Sequence, residues 1–460
     1  MLRNLRVDGF RSLQDFELYL REDVNVLVGP NGAGKTNILA FFELLSLLTQ
    51  ETVSDSLLRL GGVGANFSIR TSGKQRRPIS FFASGETTYN DLASRPQSER
   101  RVFYEIEASI VVDSDSGFIY FEKQALRLRL VALEPDLPDL FIDRPAWDLE
   151  ILHDGTLSPY SEVKIPFMDQ DKLDIRTTFA LRNRKDEDDI QRVIRTELQR
   201  EEPIARLFPQ FAGSTFPAIR EIRRDLLKGR AFNIVPEHVK RREDLSTAPG
   251  VHHDGSGLSA TLLLLYRLSR RSEQPRPSRL YTHRSVAAGS YFTAGAFGRI
   301  VELLTMINPD IQNIEVTVDN DLNYIKVMIV VCGEGGRQIR IPLQQISDGF
   351  SKWLAFVTIT QTNSELFAIE EPENFLHPHL QRLVLEVIRN GRVVPRRPTF
   401  AMITTHSETL INSARPEELI IVSLSEGRTT ARRVDDPGAI QEEINSTGFG
   451  LSFFYTSESL

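Results

Sequence analysis

The sequence predicts an α/β protein built on a mostly parallel sheet, with an antiparallel β lobe and a helical insertion. Three observations predict it. The continuous apolar run VNVLV (Val24–Val28) leads directly into the glycine-rich loop GPNGAGKTN (Gly29–Asn37) and then into the helical pattern NILAFFELLSLLT. The stretch RVFYEIEASIVVDSDSGFIYFEKQALRLRL (Arg101–Leu130) reads as antiparallel strands about a turn at DSDSG. From about Arg182 to Arg242 the texture becomes charged and helical, with sparse apolar positions.

Taken in order, the chain opens with a strand (Leu2–Val7), a turn at Asp8-Gly9 and a second strand (Ser12–Leu20), half-buried through Phe16, Leu18 and Leu20. VNVLV, apolar but for Asn25, reads as a strand of the kind found inside a covered sheet. Short strands and turns continue through residues 145–180. The Arg182–Arg242 region is too short and irregular for a coiled coil, which needs three or four sustained heptads, and reads as an insertion or lid. SEQPRPSR (Ser272–Arg279) is a linker or loop. A helix (Phe297–Ile307) and strands (Ile311–Val318, Tyr324–Val331, Gln338–Leu343) follow, then alternating helices and strands to the C-terminus. The expected division is an N-terminal lobe over 1–180, a helical insertion over 181–275 and a C-terminal lobe over 276–460.

Composition narrows the class. The chain has 460 residues, 41% apolar and 25% charged, room for two or three domains' worth of core. Apolar stretches such as LLLLY (Leu262–Tyr266) are far shorter than the roughly 20 residues of a membrane span. MLRNLRVDGFRSL lacks the apolar core of a signal peptide, so the reading is cytoplasmic. The single Cys332 excludes an intramolecular disulfide or a cysteine zinc cluster within one chain. A net charge of −7 argues against an all-round basic surface, yet Arg220–Arg242 holds eight Lys or Arg against three acids. Such a run is a solvated helix face or a phosphate track.

Gly29-x4-Gly34-Lys35-Thr36 fits the phosphate-loop pattern in its required context, strand before and helix after. Glycines let successive backbone N–H groups turn toward phosphate oxygens. Lys35 would reach the β- and γ-phosphates, the Thr36 hydroxyl would ligate Mg²⁺, and the helix N-terminus adds positive potential. The loop residues Gly29, Asn31, Gly32, Ala33, Gly34 and Asn37 complete the cradle.

A second signal lies in SELFAIEEPENFLHPHL, where a buried strand (Leu366–Ile369) ends in Glu370 and Glu371. An acid at the C-terminal edge of a phosphate-loop sheet stands beside the metal. Glu370 would hold the metal's water shell and Glu371 would polarise an attacking water. Upstream, Ser347-Asp348-Gly349 in ISDGFSKWLAF reads as a helix N-cap. Downstream, FAMITTHSETL is a buried strand ending at His406, which could touch the γ-phosphate.

GPNGAGKT, SDG, EE and TTHS, in that order, resemble the ATP-binding-cassette class of ATPases, and specifically its soluble branch that includes SMC, RecF and the OLD-type ATPases. The resemblance is strongest over residues 1–60 and 340–415 and fainter over PEHVKRREDLSTAPGVHHDGSGLSATLLLLYRL. Its most specific run is EEPENFLHP (Glu370–Pro378). It implies that Ser347, Asp348 and Gly349 contact nucleotide held by a partner subunit, that Glu370 is the metal-site acid and Glu371 the hydrolytic acid, and that His406 is the switch histidine. Asn374–His377 fall where a dimer-contacting loop belongs, and Arg11 in GFRS matches a basic position near nucleotide in some relatives. Phe350 departs from the small or polar residue usual after SDG. The family's glutamine loop has only Gln50 and Gln75 as candidates. The implied partners are ATP, Mg²⁺ and a second copy of the chain, in a dimer or larger assembly.

Two functions follow from that resemblance. The first is an ATP-hydrolysing switch, in the style of anti-phage ATPases, that controls a separate effector such as a nuclease or toxin. The second is a RecF- or SMC-like ATPase of DNA maintenance that binds duplex DNA through Arg220–Arg242. A transporter subunit would need a membrane partner and does not use the 310 residues lying between Thr36 and Ser347. Only 54 residues follow His406, too few for an added nuclease domain. Asp319-Asn320-Asp321 and His252-His253-Asp254 read as a turn and a loop, not metal sites.

Overall fold

Two periodicities in the sequence give two kinds of sheet. The computed structural model describes residues 1–69, 76–91, 98–113, 115–132, 147–155, 162–164, 203–214, 216–227, 230–272, 292–362, 367–390, 400–457 and 459–460. In chain order the strands and longer helices begin with β1 (Leu2–Asp8), β2 (Phe16–Tyr19), β3 (Asp23–Val28), α1 (Lys35–Leu48), β4 (Ile79–Asp91), β5 (Ser98–Val112) and β6 (Ile119–Ala132). Next come β7 (Leu149–Asp154), β8 (Glu162–Lys164), α2 (Pro217–Leu226), β9 (Arg230–Phe232), α3 (Leu258–Ser272), α4 (Ala294–Thr305), β10 (Ile311–Asp319), β11 (Tyr324–Cys332) and β12 (Gln338–Pro342). The last are α5 (Asp348–Thr362), β13 (Phe367–Glu370), α6 (Pro378–Asn390), β14 (Phe400–Thr405), β15 (Leu419–Ser425), β16 (Arg428–Arg433) and α7 (Pro437–Thr447).

These residues divide into two units. One comprises Met1–Leu20, Gly32–Gly229 and Ser423–Ala431; the other comprises Arg21–Asn31, Arg230–Val422 and Arg432–Leu460. The insertion expected over 181–275 has its described residues in both.

The first unit is organised by a seven-stranded sheet of order β2-β1-β4-β5-β6-β7-β8, paired antiparallel. Alternation sets its buried face: Phe16 and Leu18 in β2, and Leu149 and Ile151 in β7, are buried while their neighbours are not. The expected second strand is shorter than Ser12–Leu20 because Arg11 (φ 50°) and Asp15 (φ 54°) turn the backbone first. The DSDSG turn closes on Asp113, whose carboxylate accepts from the N–H groups of Asp115 and Ser116. Helix α1 buries Ile38, Phe41, Phe42 and Leu45, and the Phe41 ring meets Phe10 and Phe81 edge-on at 5.2 and 5.7 Å.

The second unit holds the parallel pairings of the sheet β16-β15-β3-β14-β13-β9: β15 with β3, β3 with β14, β14 with β13 and β13 with β9. A smaller antiparallel sheet, β10-β11-β12, packs into the same core through Ile314, Val316, Val327 and Ile329. Helix α3 begins where the buried Glu243 carboxylate accepts from the Ala260 N–H at 2.9 Å, satisfying orphan donors of its first turn. Helix α5 is buried all round from Ser351 to Thr362. Its threonines tolerate this because Thr358 and Thr362 donate back to the carbonyls of Leu354 and Thr358. Among the described residues no helix is long and apolar enough to cross a membrane.

Candidate functional site

The site residues of the second unit are assembled by strand register. β3, β14 and β13 are parallel neighbours, with Val28 opposite Thr405 and Thr404 opposite Glu370. One residue further along each strand stand Gly29, His406 and Glu371. Three separate stretches of sequence therefore leave one sheet edge side by side. Carboxyl edges of this kind are where open α/β sheets bind ligands, since helices and loops diverge there and leave a crevice.

Glu371 is held from every side. Its φ of 41° is a left-handed conformation that costs a residue with a Cβ about 1–3 kcal/mol. Its N–H donates to the Thr404 carbonyl at 3.0 Å, and its own carbonyl accepts from Lys352 Nζ at 3.0 Å. Of its carboxylate oxygens, Oε2 accepts from Asn374 Nδ2 at 2.9 Å and Oε1 lies 3.3 Å from His406 Nδ1. His406 is anchored through its backbone, whose N–H donates to Glu373 Oε1 at 3.2 Å; the Thr405 hydroxyl donates to the same oxygen. Glu373 is buried, and its other oxygen has no hydrogen-bond partner among the described residues.

Lys352 projects from the second turn of α5 into this cluster and is only 2% exposed. Burial pushes its pKa down to about 8, against the opposing pull of Glu373 and Glu371. Sequence reasoning missed Lys352 and Glu373. The available signal for the lysine was its place directly ahead of the apolar run Trp353–Val357.

Ser347-Asp348-Gly349 form the start of α5 as expected. Ser347 Oγ accepts from the Phe350 N–H at 3.3 Å, and Asp348 pairs with Lys240 at 2.5 Å. A β-carbon on Gly349 would stand 2.6 Å from the Phe375 carbonyl oxygen, so this helix start and the Glu371–His377 loop touch backbone to backbone. Asn374, Phe375 and His377 are exposed.

In the first unit, Gly34 caps α1 in the left-handed region at φ 98°, and Gly32 lies at φ 82°. Lys35 is buried in the first turn, while Thr36 is exposed. Thr429 Oγ1 donates to the Ala33 carbonyl at 3.1 Å and shares a 2.6 Å hydrogen bond with Ser12 Oγ, which accepts from Asn37 Nδ2 at 2.7 Å. Asn37 thus braces the loop. Thr429 carried no sequence signal.

Other candidates fall elsewhere. The Arg11 guanidinium is spent on Asn66 Oδ1 and the Leu60 carbonyl, and partial burial lowers its pKa. Gln50 donates to the Ser46 carbonyl within its own helix region; Gln75 lies outside the described residues. Asp319 accepts from the Asp321 and Leu322 N–H groups, which makes the DND segment a turn, and Asp254 binds Ser256 and His238. No group of three metal-ligating side chains occurs among the described residues. The basic run Arg220–Arg242 is divided between the units, and much of its charge is engaged: Arg223 on the Thr49 carbonyl, Arg224 on Glu221, Lys240 on Asp348, Arg242 over the Tyr324 ring. A concavity of about 910 Å³ on the seven-stranded sheet, lined in part by Phe82, Lys123, Arg127 and His153, includes none of the candidate site residues.

A family profile described as "AAA domain, putative AbiEii toxin, Type IV TA system" matches residues 24–412. The chain is similar to the DNA double-strand break repair Rad50 ATPase of Methanopyrus kandleri, 38% identical over 61 residues, 13% of this chain and 7% of that protein. It is also similar to the DNA replication and repair protein RecF of Corynebacterium jeikeium, 27% identical over 135 residues, 28% of this chain and 32% of that protein. The chain therefore spans less than a tenth of the first relative and about a third of the second. Among solved structures, an Smc head bound to the C-winged helix domain of ScpA superposes with a TM-score of 0.47 at 11% identity, covering 94% of this chain and 98% of that one. The SMC head domain from Thermotoga maritima superposes with a TM-score of 0.38 at 12% identity, covering 95% and 99%.

Proposed function

We infer the function from the premise that this chain belongs to that AAA-domain family, a family of ATPases. The reading is an ATP-hydrolysing molecular switch. The single observation that carries it is the register of β3, β14 and β13, which sets the start of the phosphate loop, Glu371 and His406 on one carboxyl edge.

In this reading the backbone of Gly29, Asn31, Gly32, Ala33 and Gly34, with Lys35 and Asn37, cradles the triphosphate. Thr36 and Glu370 offer a hydroxyl and a carboxylate, the hard oxygen donors that Mg²⁺ prefers. The metal, when bound, neutralises charge on the phosphates. Glu371 polarises the attacking water, and His406, beside it, stabilises charge on the γ-phosphate. Ser347, Asp348 and Gly349, a helix start exposed at its first two residues, serve the nucleotide of a second copy, so that two chains close on two ATP molecules and part on hydrolysis.

What that switch controls admits two readings. In the first, the switch controls a separate effector such as a nuclease or toxin in anti-phage defence; the family description, a putative toxin of a type IV TA system, points toward toxin biology. The likeness to Rad50 and RecF supports a role in DNA repair or maintenance. The first is favoured, because the basic run that would serve duplex DNA has much of its charge already engaged.

The test is steady-state ATP hydrolysis with and without duplex DNA, with Lys35→Ala and Glu371→Gln as controls. Hydrolysis indifferent to DNA and lost in both variants is the expected result. Strong DNA stimulation would favour the second reading. Hydrolysis unaffected by Glu371→Gln would overturn the assignment of Glu371.

A further inference from the structure

We propose that Lys352 is a positioning residue for Glu371, gripping its main chain from inside helix α5 and so tying the Ser347–Gly349 helix start to the hydrolytic acid. The proposal rests on the reading of Glu371 as that acid.

Three observations support it. Lys352 is buried, and its ammonium donates to the Glu371 carbonyl at 3.0 Å. That carbonyl belongs to a residue at φ 41°, a conformation that persists only where neighbours over-determine it. The Thr404 carbonyl and hydroxyl hold the N–H side of Glu371, and Lys352 holds the C=O side. The third observation is chemical. The residues that follow Lys352 are Trp353, Leu354, Ala355 and Phe356, all buried, and a methionine would fill the same space without the desolvation penalty of an ammonium. The charge is offset by Glu373 and Glu371, which raise a pKa that burial lowers.

Geometry also shows what such a grip transmits. Lys352 lies one helical turn beyond Asp348-Gly349, and Gly349 already abuts the Phe375 carbonyl in the loop that Glu371 opens. A shift of the α5 start is therefore passed to the Glu371 loop through two contacts, the close backbone approach at Phe375 and the charge-assisted hydrogen bond to the Glu371 carbonyl. Catalytic groups need such supporting contacts, because small displacements of a base cost much of its rate.

The experiment compares Lys352→Met, Lys352→Gln and Lys352→Arg in the full chain, reading kcat, KM for ATP and ATP affinity, with circular dichroism and melting as fold checks. Gln keeps a neutral donor but is one atom short of the carbonyl. We expect Met and Gln to lower kcat about tenfold or more while KM and ATP affinity stay within about twofold, and Arg to recover a large part of kcat. Wild-type kcat in Lys352→Met overturns the proposal. So does a parallel loss of kcat and ATP affinity, which would mark a packing role, and so does failure of both Met and Gln variants to fold. Glu371→Gln, run alongside, separates the two readings. If it hydrolyses like wild type, the assignment of Glu371 fails and this proposal with it; if it is inactive while Lys352→Met is normal, this proposal alone fails.

Discussion

A β-carbon placed on Gly34 would lie 2.0 Å from the hydroxyl of Thr429, and Gly34 itself sits at φ 98°. Two independent constraints thus demand glycine here: a left-handed backbone, and a threonine that braces the loop through the Ala33 carbonyl. Gly34→Ala is expected to abolish measurable ATP binding, since the loop must open to admit the methyl group. Gly34→Ala with Thr429→Ala removes the hydroxyl and methyl that would stand at 2.0 and 2.9 Å, leaving a tight 3.0 Å approach to the β-carbon of residue 429 and backbone strain of about 1–2 kcal/mol, so partial binding should return. Isothermal titration with ATP checks both. Equal binding by the single variant and wild type would show that the loop does not need this geometry.

Thr429→Val keeps the shape of the side chain and deletes its hydroxyl. The variant loses the hydrogen bonds to Ser12 and the Ala33 carbonyl in a fully buried position, an expected destabilisation of about 1–3 kcal/mol. Urea unfolding should show a lower midpoint with an unchanged slope. A midpoint equal to wild type would mean the bonds contribute nothing net.

Why Gly34 was legible in the sequence and Thr429 was not has a physical cause. Gly29–Asn37 and Glu370–Pro378 are local chemistry: each needs fixed residue types at fixed spacing, so a single stretch of sequence displays it. The same holds for β3, an apolar run, and for the antiparallel strands about DSDSG, whose alternation declares a half-buried face. Thr429 acts across a separation of 396 residues, and nothing near it in the chain records the contact. Lys352 and Glu373 were hidden differently. A charged residue inside an apolar helix reads as a solvated face until the burial of α5 on every side is seen. The division of the chain was also illegible, because Arg230–Ser272 pack into the core of the second unit through Phe232, Val239, Leu258 and Leu262, a matter of tertiary partners and not of local pattern.

Gly349→Ala tests the helix start. The added methyl group would meet the Phe375 carbonyl oxygen at 2.6 Å, and that atom is backbone, so the loop or the helix must give way. The proposed role of this motif is toward the nucleotide of a second copy. ATP affinity of the single chain should therefore stay within about twofold, while kcat falls about tenfold or more. ATP-dependent dimerisation, followed by light scattering with Glu371→Gln as background, should be lost. A variant that dimerises normally would place the second-copy contact elsewhere.

Asn374 and His406 flank the two oxygens of the Glu371 carboxylate, at 2.9 and 3.3 Å. Removing either leaves the acid in place but free to turn. His406→Ala should lower kcat by about 100-fold, since it also removes a group from the γ-phosphate in the proposed mechanism, and Asn374→Ala by about tenfold. Because both act through one carboxylate, the double variant should lose less than the product of the two effects. Full multiplicativity in steady-state rates would show that they act independently of Glu371.

The last prediction concerns pH and follows from Lys352. Burial lowers its folded-state pKa to about 8, from an ordinary value of 10.5. Below pH 8 the lysine is protonated in both folded and unfolded chains, and its burial as a cation opposes folding. Between about pH 8 and 10.5 the unfolded chain holds a proton that the folded chain has released, so the lysine's contribution to unfolding free energy rises with pH. Across the whole window the rise amounts to about 3 kcal/mol at 1.36 kcal/mol per pKa unit. Other alkaline titrations, such as those of tyrosines, act on wild type and Lys352→Met alike and cancel in their difference. Urea unfolding of the two proteins at the two ends of the window should therefore show wild type gaining on the variant as pH rises. A difference that stays flat, or moves the other way, would mean the ammonium is better solvated or better paired in the fold than its burial implies.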